Sequence, residues 1–364
     1  MAASKERYHG VPNPLVLPPR WLNMYSEFIT KNQSAVTQIE SALRSLTYII
    51  PGRFRDAELA SEGLHSSVQL LSMYHDTLLA RAISKLPGMP RHQSHHNRYT
   101  KFWIQSPLYR RIATLLSMIQ YTELLWEMMA KRKGEKMRWR VVAIIEIIKA
   151  FCKLCLLKVT ASRPLVTPPL PERDIIPDES SEEEEFSDEG FPSEERSTEI
   201  KEYKMKRTGL SLPTLPNPSN ISNYLLSKVL TADDIKAPSA LLNKASGSAQ
   251  VAEWLHILQP VIYAIAMSRS KDKKNWYPWL LGMSVEYAAR QLRKDGLRTT
   301  ALEREQWNKR GWAMGWWGMR GAFYENVTKG FLHRTSDKLP SLISGVLDDY
   351  LYLWDNYYFS TSSV

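Results

Sequence analysis

Cysteine is nearly missing from this chain of 364 residues, which contains only Cys152 and Cys155. Two cysteines so close together make no disulfide framework, and they fit a protein kept in a reducing compartment. The first ten residues are polar, so we expect no secretory signal peptide. Strand patterns are also scarce, because no segment alternates apolar and polar residues over a strand's length. These absences exclude a disulfide-rich secreted domain and predict an all-α fold.

Catalytic motifs are also missing. The chain has no Gly-x-Ser-x-Gly elbow, no phosphate-binding glycine-rich loop and no His-Glu-x-x-His. His333 and Asp337 match an acyltransferase-like His-x-x-x-Asp, but one such match occurs often by chance. His92, His95 and His96 lie in a polar segment, residues 89–100, which we predict to be a loop, and they have no fourth candidate ligand. We therefore expect no enzyme activity, cofactor, metal or small-molecule substrate. The alternative is a lipid-handling enzyme or lipid-transfer protein that uses His333.

Charge is distributed unevenly along the chain. The formal net charge is +10, yet residues 172–199 contain thirteen acidic and only two basic side chains. The rest of the chain therefore carries a net charge of about +21, which suits contact with an anionic surface. Nucleic acid is the less favoured partner, because the basic residues are scattered among apolar faces and no nucleic-acid-reading motif occurs. The sequence favours membrane lipids as that anionic surface and predicts no nucleic-acid binding.

Helical periodicity and proline content divide the chain into four parts. Residues 1–20 form a flexible lead, 21–163 an N-terminal helical half, 164–249 an acidic, proline-rich insert, and 250–360 a C-terminal helical half. The insert has too few apolar residues to offset its ordering entropy, so we predict that it is disordered. We predict a membrane-associated multi-helix bundle in two halves separated by this loop. The predicted helices are 34–50, 56–86, 107–132, 141–160, 250–269, 278–295, 300–329 and 339–359.

The predicted helix 141–160 is apolar around most of its circumference and about 30 Å long, which matches the hydrocarbon core of a bilayer. Glu146, Lys149 and Lys153 nevertheless lie on it, within about 60° of one another on a helical wheel. Three interpretations follow: a core helix of a soluble bundle, a helix lying in the membrane interface, and a span whose charged stripe faces partner helices. A basic flank precedes the helix: Lys131, Arg132, Lys133, Lys136, Arg138 and Arg140.

Small and aromatic residues cluster in the C-terminal half. Gly311, Gly315, Gly318 and Ala322 recur at helical spacing and predict a groove where another helix packs closely. The helix that packs there belongs either to this chain or to a partner protein. The surrounding aromatic residues predict a belt of the kind found at membrane interfaces. The belt comprises Trp276, Tyr277, Trp279, Trp312, Trp316 and Trp317.

Six segments in register carry a family resemblance. They read SALRSLTYIIPGRF from Ser41, ASEGLHSSVQLLSMYHDTLL from Ala60, LSMIQYTELLWEMMA from Leu116, AEWLHILQPVIYAIAM from Ala252, NWYPWLLGMSVEYA from Asn275 and DDYLYLWDNYYF from Asp348. In order and spacing they resemble the peroxisomal membrane protein peroxin-16 family, in a fungal type. The resemblance covers both predicted helical halves.

The resemblance implies a non-enzymatic peroxisome biogenesis factor. Such a factor acts as a membrane-bound scaffold or receptor for peroxisomal membrane proteins, with a peroxin-3-type docking factor and a peroxin-19-type chaperone-receptor as partners. It also implies residence in the peroxisomal membrane, reached through the endoplasmic reticulum, with cytosolic termini. In the animal family a strongly basic stretch after the second helix serves in targeting. The matching residues 78–87 carry only Arg81 and Lys85 here, so we expect the basic flank to take that role.

Overall fold

The structure is a computed structural model that describes residues 20–49, 57–83, 94–173, 233, 236–270, 272, 274–293 and 300–362. These residues form helices and loops without a strand, which confirms the all-α prediction. The N-terminal half contains α1 (Arg20–Lys31), α2 (Gln33–Ile49), α3 (Ala57–Ile83), α4 (His95–Ile104), α5 (Pro107–Lys131) and α6 (Glu135–Val159). The C-terminal half contains α7 (Ser248–Arg269), α8 (Trp276–Leu292), α9 (Ala301–Gly315), α10 (Lys329–Ser336) and α11 (Ser341–Asn356).

Local chemistry sets several helix starts. Pro107 occupies the first turn of α5, where its missing N–H costs nothing. The side chains of Asn275 and Thr300 accept backbone N–H bonds from the first turns of α8 and α9, at 3.0 and 3.2 Å. The helices predicted over 34–50, 56–86, 107–132, 250–269, 278–295 and 339–359 are confirmed within a few residues at each end.

Six helices form a row in which α2, α3, α5, α6, α7 and α8 each pack against the next. The C-terminal half of α6 meets the N-terminal half of α7 through Leu157 and Ile257. The start of α6 meets the end of α7 through Val142 and Ala264, so these two helices are antiparallel. The row is covered on one side, which we call the inner side, by α9, the turn Trp316–Met319 and residues 357–361.

Three sequence predictions are wrong in part. The polar segment predicted as a loop up to residue 100 becomes helical at His95, because Ser94 caps α4 by accepting the Asn97 N–H. The predicted disorder fails at both ends of the insert, since Val166, Leu241 and Leu242 are buried. They join a small core that also includes Tyr99 and Leu302. Residues 174–232, 234 and 235 of the insert, and His92, lie outside the described residues.

The third error concerns the helix predicted over 300–329. The chain leaves α9 through the turn Trp316–Met319 and passes an extended Arg320, whose guanidinium donates to the Thr361 carbonyl at 2.8 and 2.6 Å. Gly321 then adopts a φ of +49°, which glycine tolerates far better than other residues. A short helical turn and a π-helix, Tyr324–Thr328, lead into α10. Glycine-rich sequence and a tertiary bond to Arg320 together interrupt the helix.

Candidate membrane-contact face

The charged stripe of α6 points into the protein. Glu146 and Lys149 are 2% and 4% exposed. The Lys149 ammonium lies 2.7 Å from a carboxylate oxygen of Glu123 on α5 and 3.3 Å from one of Glu146. Burial alone lowers the pKa of Lys149, but the two carboxylates outweigh it and raise that pKa above its usual value. The stripe is thus a buried, paired cluster that binds α6 to its neighbour in the row.

Lys153 ends the stripe one turn further along the helix and is half-buried. Desolvation, together with the adjacent Lys149 charge, lowers the pKa of its ammonium to about 8. Carboxylates satisfy Lys149 more completely than Lys153. The stripe therefore has a well-paired end and an electrostatically costly end.

Residues 357–361 close the inner side over this cluster. The backbone N–H groups of Tyr358 and Phe359 donate to the two carboxylate oxygens of Glu127 at 2.7 and 2.9 Å. Arg138 donates to the same carboxylate at 2.8 Å, and all these groups are buried. The Lys149 ammonium also lies over the Phe359 ring, 5.1 Å from the ring centroid. These contacts hold residues 357–361, which we call the cover, against both α5 and α6.

A second buried ionic cluster secures the inner side of α7. Glu253, 1% exposed, accepts from Arg310 of α9 at 2.8 and 2.9 Å and from Arg293, which follows α8. Burial raises the pKa of the Glu253 carboxyl, but the two guanidinium groups outweigh it and lower the pKa to about 2. The buried, paired ionic groups of α5, α6 and α7 therefore point away from the opposite side of the row.

That opposite side, which we call the outer face, is apolar and exposed. On α6 the exposed side chains lie opposite the charged stripe, and Phe151 is 66% exposed. Because neighbouring helices are antiparallel and share one covered side, the exposed stripes of α5, α6 and α7 lie on the same side of the row. The apolar residues of the outer face are Leu108, Leu115, Met118, Trp126, Ile144, Ile147, Ile148, Phe151, Val251, Trp254 and Leu258, all at least 37% exposed.

The predicted basic flank is divided between the interior and the surface. Arg138 is buried on Glu127, and Lys131 donates to the Asn356 side chain at 2.8 Å and lies over the Tyr357 ring. The other members are exposed, Arg132 and Lys133 at the turn between α5 and α6 and Lys136 and Arg140 in the first two turns of α6. At the opposite end of these two helices Arg111 and Lys158 are exposed on the same stripes as the apolar residues. The outer face therefore has basic residues at both ends.

The predicted aromatic belt does not form one surface. Trp279 packs against Trp276 and Trp317, with ring centroids 5.7 and 6.3 Å away, and donates its indole N–H to the Trp317 carbonyl. Trp317 is buried, whereas Trp312 is 84% exposed. The belt thus separates into a packed aromatic cluster and exposed rings. The exposed members are Trp276, Tyr277, Trp312 and Trp316.

The small residues predicted to line a groove do not all lie on one helix, because α9 ends at Gly315, before Gly318 and Ala322. Nothing lies within 4 Å of a Cβ built on Gly311 or Gly315, and Ala322 is buried beyond the break. The close approach occurs instead at Gly282 of α8, where a Cβ would lie 2.5 Å from the Trp317 ring. A helical glycine flanked by aromatic segments is a weak signal, and the sequence reasoning missed it.

Sequence reasoning also missed Glu123 and Glu127, the carboxylates that pair with the basic side chains of α6. Their spacing of four residues on an otherwise apolar helix is the signal that could have identified them. Both fall on the same face, as residues four apart do in a helix. Because α5 and α6 pack side by side in opposite directions, two buried carboxylates on α5 predict two buried basic partners on α6, which are Arg138 and Lys149.

The residues of the alternative hypothesis lie apart from any enclosed site. His333 and Asp337 are both exposed at the end of α10, joined only by the backbone bond from Asp337 N–H to the His333 carbonyl. His96 is buried with its ring near the Leu170 carbonyl. Within the described part of the chain, no three His, Cys, Asp or Glu side chains are placed to hold a metal ion.

By length and composition, α7 is the one helix among the described residues that could cross a membrane. Just under half of its most apolar window, 44%, is buried against the rest of the protein. Pro260 lies within it, and Tyr263 packs on the Trp317 and Tyr358 rings. A buried helix of a folded bundle has the same properties, so membrane association is only weakly indicated by this helix.

Comparison with known proteins identifies the family. A family model described as peroxisomal membrane protein (Pex16) matches residues 23–356. The chain is 21% identical over 344 residues to the peroxisomal membrane protein PEX16 of Schizosaccharomyces pombe, covering 88% of this chain and 92% of that protein. It is 30% identical over 134 residues to the peroxisome biogenesis factor 16 of Dictyostelium discoideum, covering 32% of this chain and 30% of that protein. No solved structure gives a significant match. The chain belongs to the Pex16 family of peroxisomal membrane proteins, which are peroxisome biogenesis factors.

Proposed function

We propose that this protein is a membrane-bound scaffold that receives other peroxisomal membrane proteins and carries out no chemistry itself. The observation that best supports the proposal is the reversed polarity of α6. Its charges are paired inside the row, while Ile144, Ile147 and Phe151 are exposed on the outside. A soluble protein gains nothing from this arrangement, whereas a protein of a membrane family can use it to stay at the bilayer.

The proposed partners are a peroxin-3-type docking factor and a peroxin-19-type chaperone-receptor. Family membership supports this choice. If the outer face meets lipid, a partner must bind elsewhere, and the exposed end of α9 offers two large aromatic side chains. Trp312 is 84% exposed and Trp316 is 42% exposed, next to open space at Gly311 and Gly315. Exposed tryptophans of this kind are frequent anchors in protein interfaces.

Rescue in cells tests the proposal directly. The full chain is expressed in fungal cells that lack their own Pex16-family protein, and the delivery of a fluorescent peroxisomal membrane protein is measured. We expect delivery to be restored, with the chain in the membrane fraction. Failure of a stably expressed chain to restore delivery would contradict the scaffold function.

Partner binding is measured in the same cells by co-purification with the two peroxin types. We expect Trp312→Ala with Trp316→Ala to reduce co-purification. The control Phe331→Ala, which removes another exposed ring (66%) on α10, should leave it unchanged. Rescue without any co-purification would reject the partners but keep the scaffold. His333→Ala should have no effect on rescue, and loss of rescue would favour the lipid-handling alternative.

A further inference from the structure

We propose that the outer face lies flat in one leaflet of an anionic bilayer, with α5, α6 and α7 parallel to the membrane plane. Basic residues at both ends of the face then contact lipid headgroups of that same leaflet. The inference deepens the proposed function, on which it rests, by naming the surface and the lipid chemistry that hold the scaffold. It makes the protein a one-leaflet membrane protein.

The first argument is the continuity of the apolar surface. Eleven large apolar side chains on three adjacent helices are exposed on one side. Monomeric soluble proteins rarely leave contiguous apolar patches of more than a few hundred Å² in water. The exposed positions of α2 are mainly polar by contrast, as Gln38, Ser41 and Arg44 show. The outer face therefore needs an apolar environment along three adjacent helices.

The second argument is the placement of positive charge. Arg140 and Lys158 lie on the exposed stripe of α6, about 27 Å apart at 1.5 Å per residue. Arg111 marks the equivalent end of the stripe on α5. Long basic side chains can reach from an immersed face to the headgroups, where each one strengthens binding to an anionic surface. When α5 and α6 lie parallel to the membrane plane, the basic residues at both ends of these helices reach the headgroups of the same leaflet.

The third argument is the polarity of the inner side. A bundle that crosses the bilayer must present apolar side chains to lipid on every side. The cover over α5 and α6, however, includes the partly exposed Ser360 and continues into Ser362, which donates to Glu123 at 3.3 Å. Only one side of the row suits lipid, and a flat orientation immerses that side alone.

A matched pair of variants tests the face. Phe151 on the outer face and Phe331 on α10 are both 66% exposed. The full-length chain is mixed with vesicles of phosphatidylcholine and phosphatidylserine, and bound protein is measured by flotation. We expect Phe151→Asp to weaken vesicle binding by about tenfold or more. The variant loses the favourable free energy that an aromatic side chain gains when it moves from water into the membrane. Phe331→Asp should bind as the unmodified chain does. Equal effects of the two substitutions would overturn the assignment.

A second pair tests the basic ends. Arg140→Glu should weaken binding to the mixed vesicles by about tenfold, and much less to vesicles of phosphatidylcholine alone. High salt should shrink the difference, since it screens surface charge. The control is Arg304→Glu, on an exposed position of α9 away from the face. If Arg140→Glu changes binding to both vesicle types alike, headgroup recognition by this end is wrong.

Labelling distinguishes a flat orientation from a span. Lys133→Cys and Lys158→Cys are made separately in a chain with Cys152→Ala and Cys155→Ala, and its thermal melting is compared with that of the unmodified chain. A membrane-impermeant maleimide added outside the vesicles should label both positions. Protection of one position and labelling of the other would show a span and reject the proposal.

The cell experiment separates this inference from the proposed function. Rescue by the unmodified chain and by Phe151→Asp alike would keep the scaffold and reject the membrane face. Loss of rescue and of membrane recovery with Phe151→Asp, but not with Phe331→Asp, would support both. No rescue by the unmodified chain would reject the function, while vesicle binding would still report on the face.

Discussion

The two sides of the helix row solve opposite physical problems. On the inner side, charged groups such as Lys149, Glu123 and Glu127 are buried and satisfied by one another and by backbone N–H groups. On the outer face, apolar side chains such as Ile144 and Phe151 are exposed. The usual rule for a water-soluble helix is the reverse. The comparison shows that polarity within one helix identifies its two sides but does not tell which side faces the solvent.

The largest expected effect comes from removing the buried cation. Lys149→Met leaves the carboxylates of Glu123 and Glu146 buried without their main partner. We expect a loss of about 3–5 kcal/mol in the free energy of unfolding, because an uncompensated buried charge is costly. Chemical denaturation in mild detergent measures it. The combined change of Glu123, Glu146 and Lys149 to Leu, Leu and Met should recover much of the loss. A neutral single variant would mean that the stripe faces water.

Lys153→Met should have the opposite sign. The ammonium pKa is about 8 in the folded chain, against 10.5 for an ordinary lysine. Between pH 8 and pH 10.5 the unfolded chain binds more protons at Lys153 than the folded chain does. The free energy of unfolding of the unmodified chain therefore rises with pH in this range. The variant should gain about 1–3 kcal/mol at pH 7. That gain should fade as the pH approaches 10.5. Denaturation curves at both pH values check it, and a gain independent of pH would contradict the electrostatic cause.

Packing on the inner side predicts a smaller loss. Gly282→Ala places a methyl group 2.5 Å from the Trp317 ring, so the ring must shift. We expect a cost of about 1–3 kcal/mol, as in other overpacked cores. Gly311→Ala is the matched control, since open space surrounds that helical glycine and alanine favours helix by about 1 kcal/mol. Thermal melting of both variants should separate them, and a tolerated Gly282→Ala would mean that the aromatic cluster is loosely packed.

The outer face predicts the smallest change in stability. Ile147→Gln alters a side chain that is 49% exposed, so the free energy of unfolding should change by less than about 0.5 kcal/mol. Its effect should be on solubility, because polar substitution interrupts the apolar patch. Size-exclusion chromatography without detergent should show less aggregate than for the unmodified chain. A large loss of stability would place Ile147 in a packed core instead.

Local sequence signals were sufficient for much of the fold. Pro51 with Gly52, Pro87 with Gly88, and Pro107 mark ends that the structure reproduces within a few residues, because these residues act on the backbone nearby. The break after Gly315 was missed, since it depends on Arg320 reaching the distant Thr361 carbonyl. Periodicity reports which residues share a face and cannot report such long-range bonds.

The candidate site was predicted to a similar extent. The helical wheel places Glu146, Lys149 and Lys153 on one stripe, but it does not identify the residues that pair with them. Glu123 lies 26 residues away from Lys149 on another helix, so only the antiparallel pairing of α5 and α6 brings the two together. Disorder was also overestimated near Leu241 and Leu242, because their burial depends on α4 and α9 and not on the composition of their own segment.

The bonds from Tyr358 and Phe359 to Glu127 join positions 231 and 232 residues apart. During synthesis, α5 and α6 therefore leave the ribosome long before the segment that closes over their ionic groups. Throughout that interval the nascent chain exposes both an apolar face and unsatisfied charges. Such a chain is prone to aggregate, and its completion is a late, cooperative step. The order of translation thus leaves the ionic groups of α5 and α6 uncovered until residues 357–361 have been made.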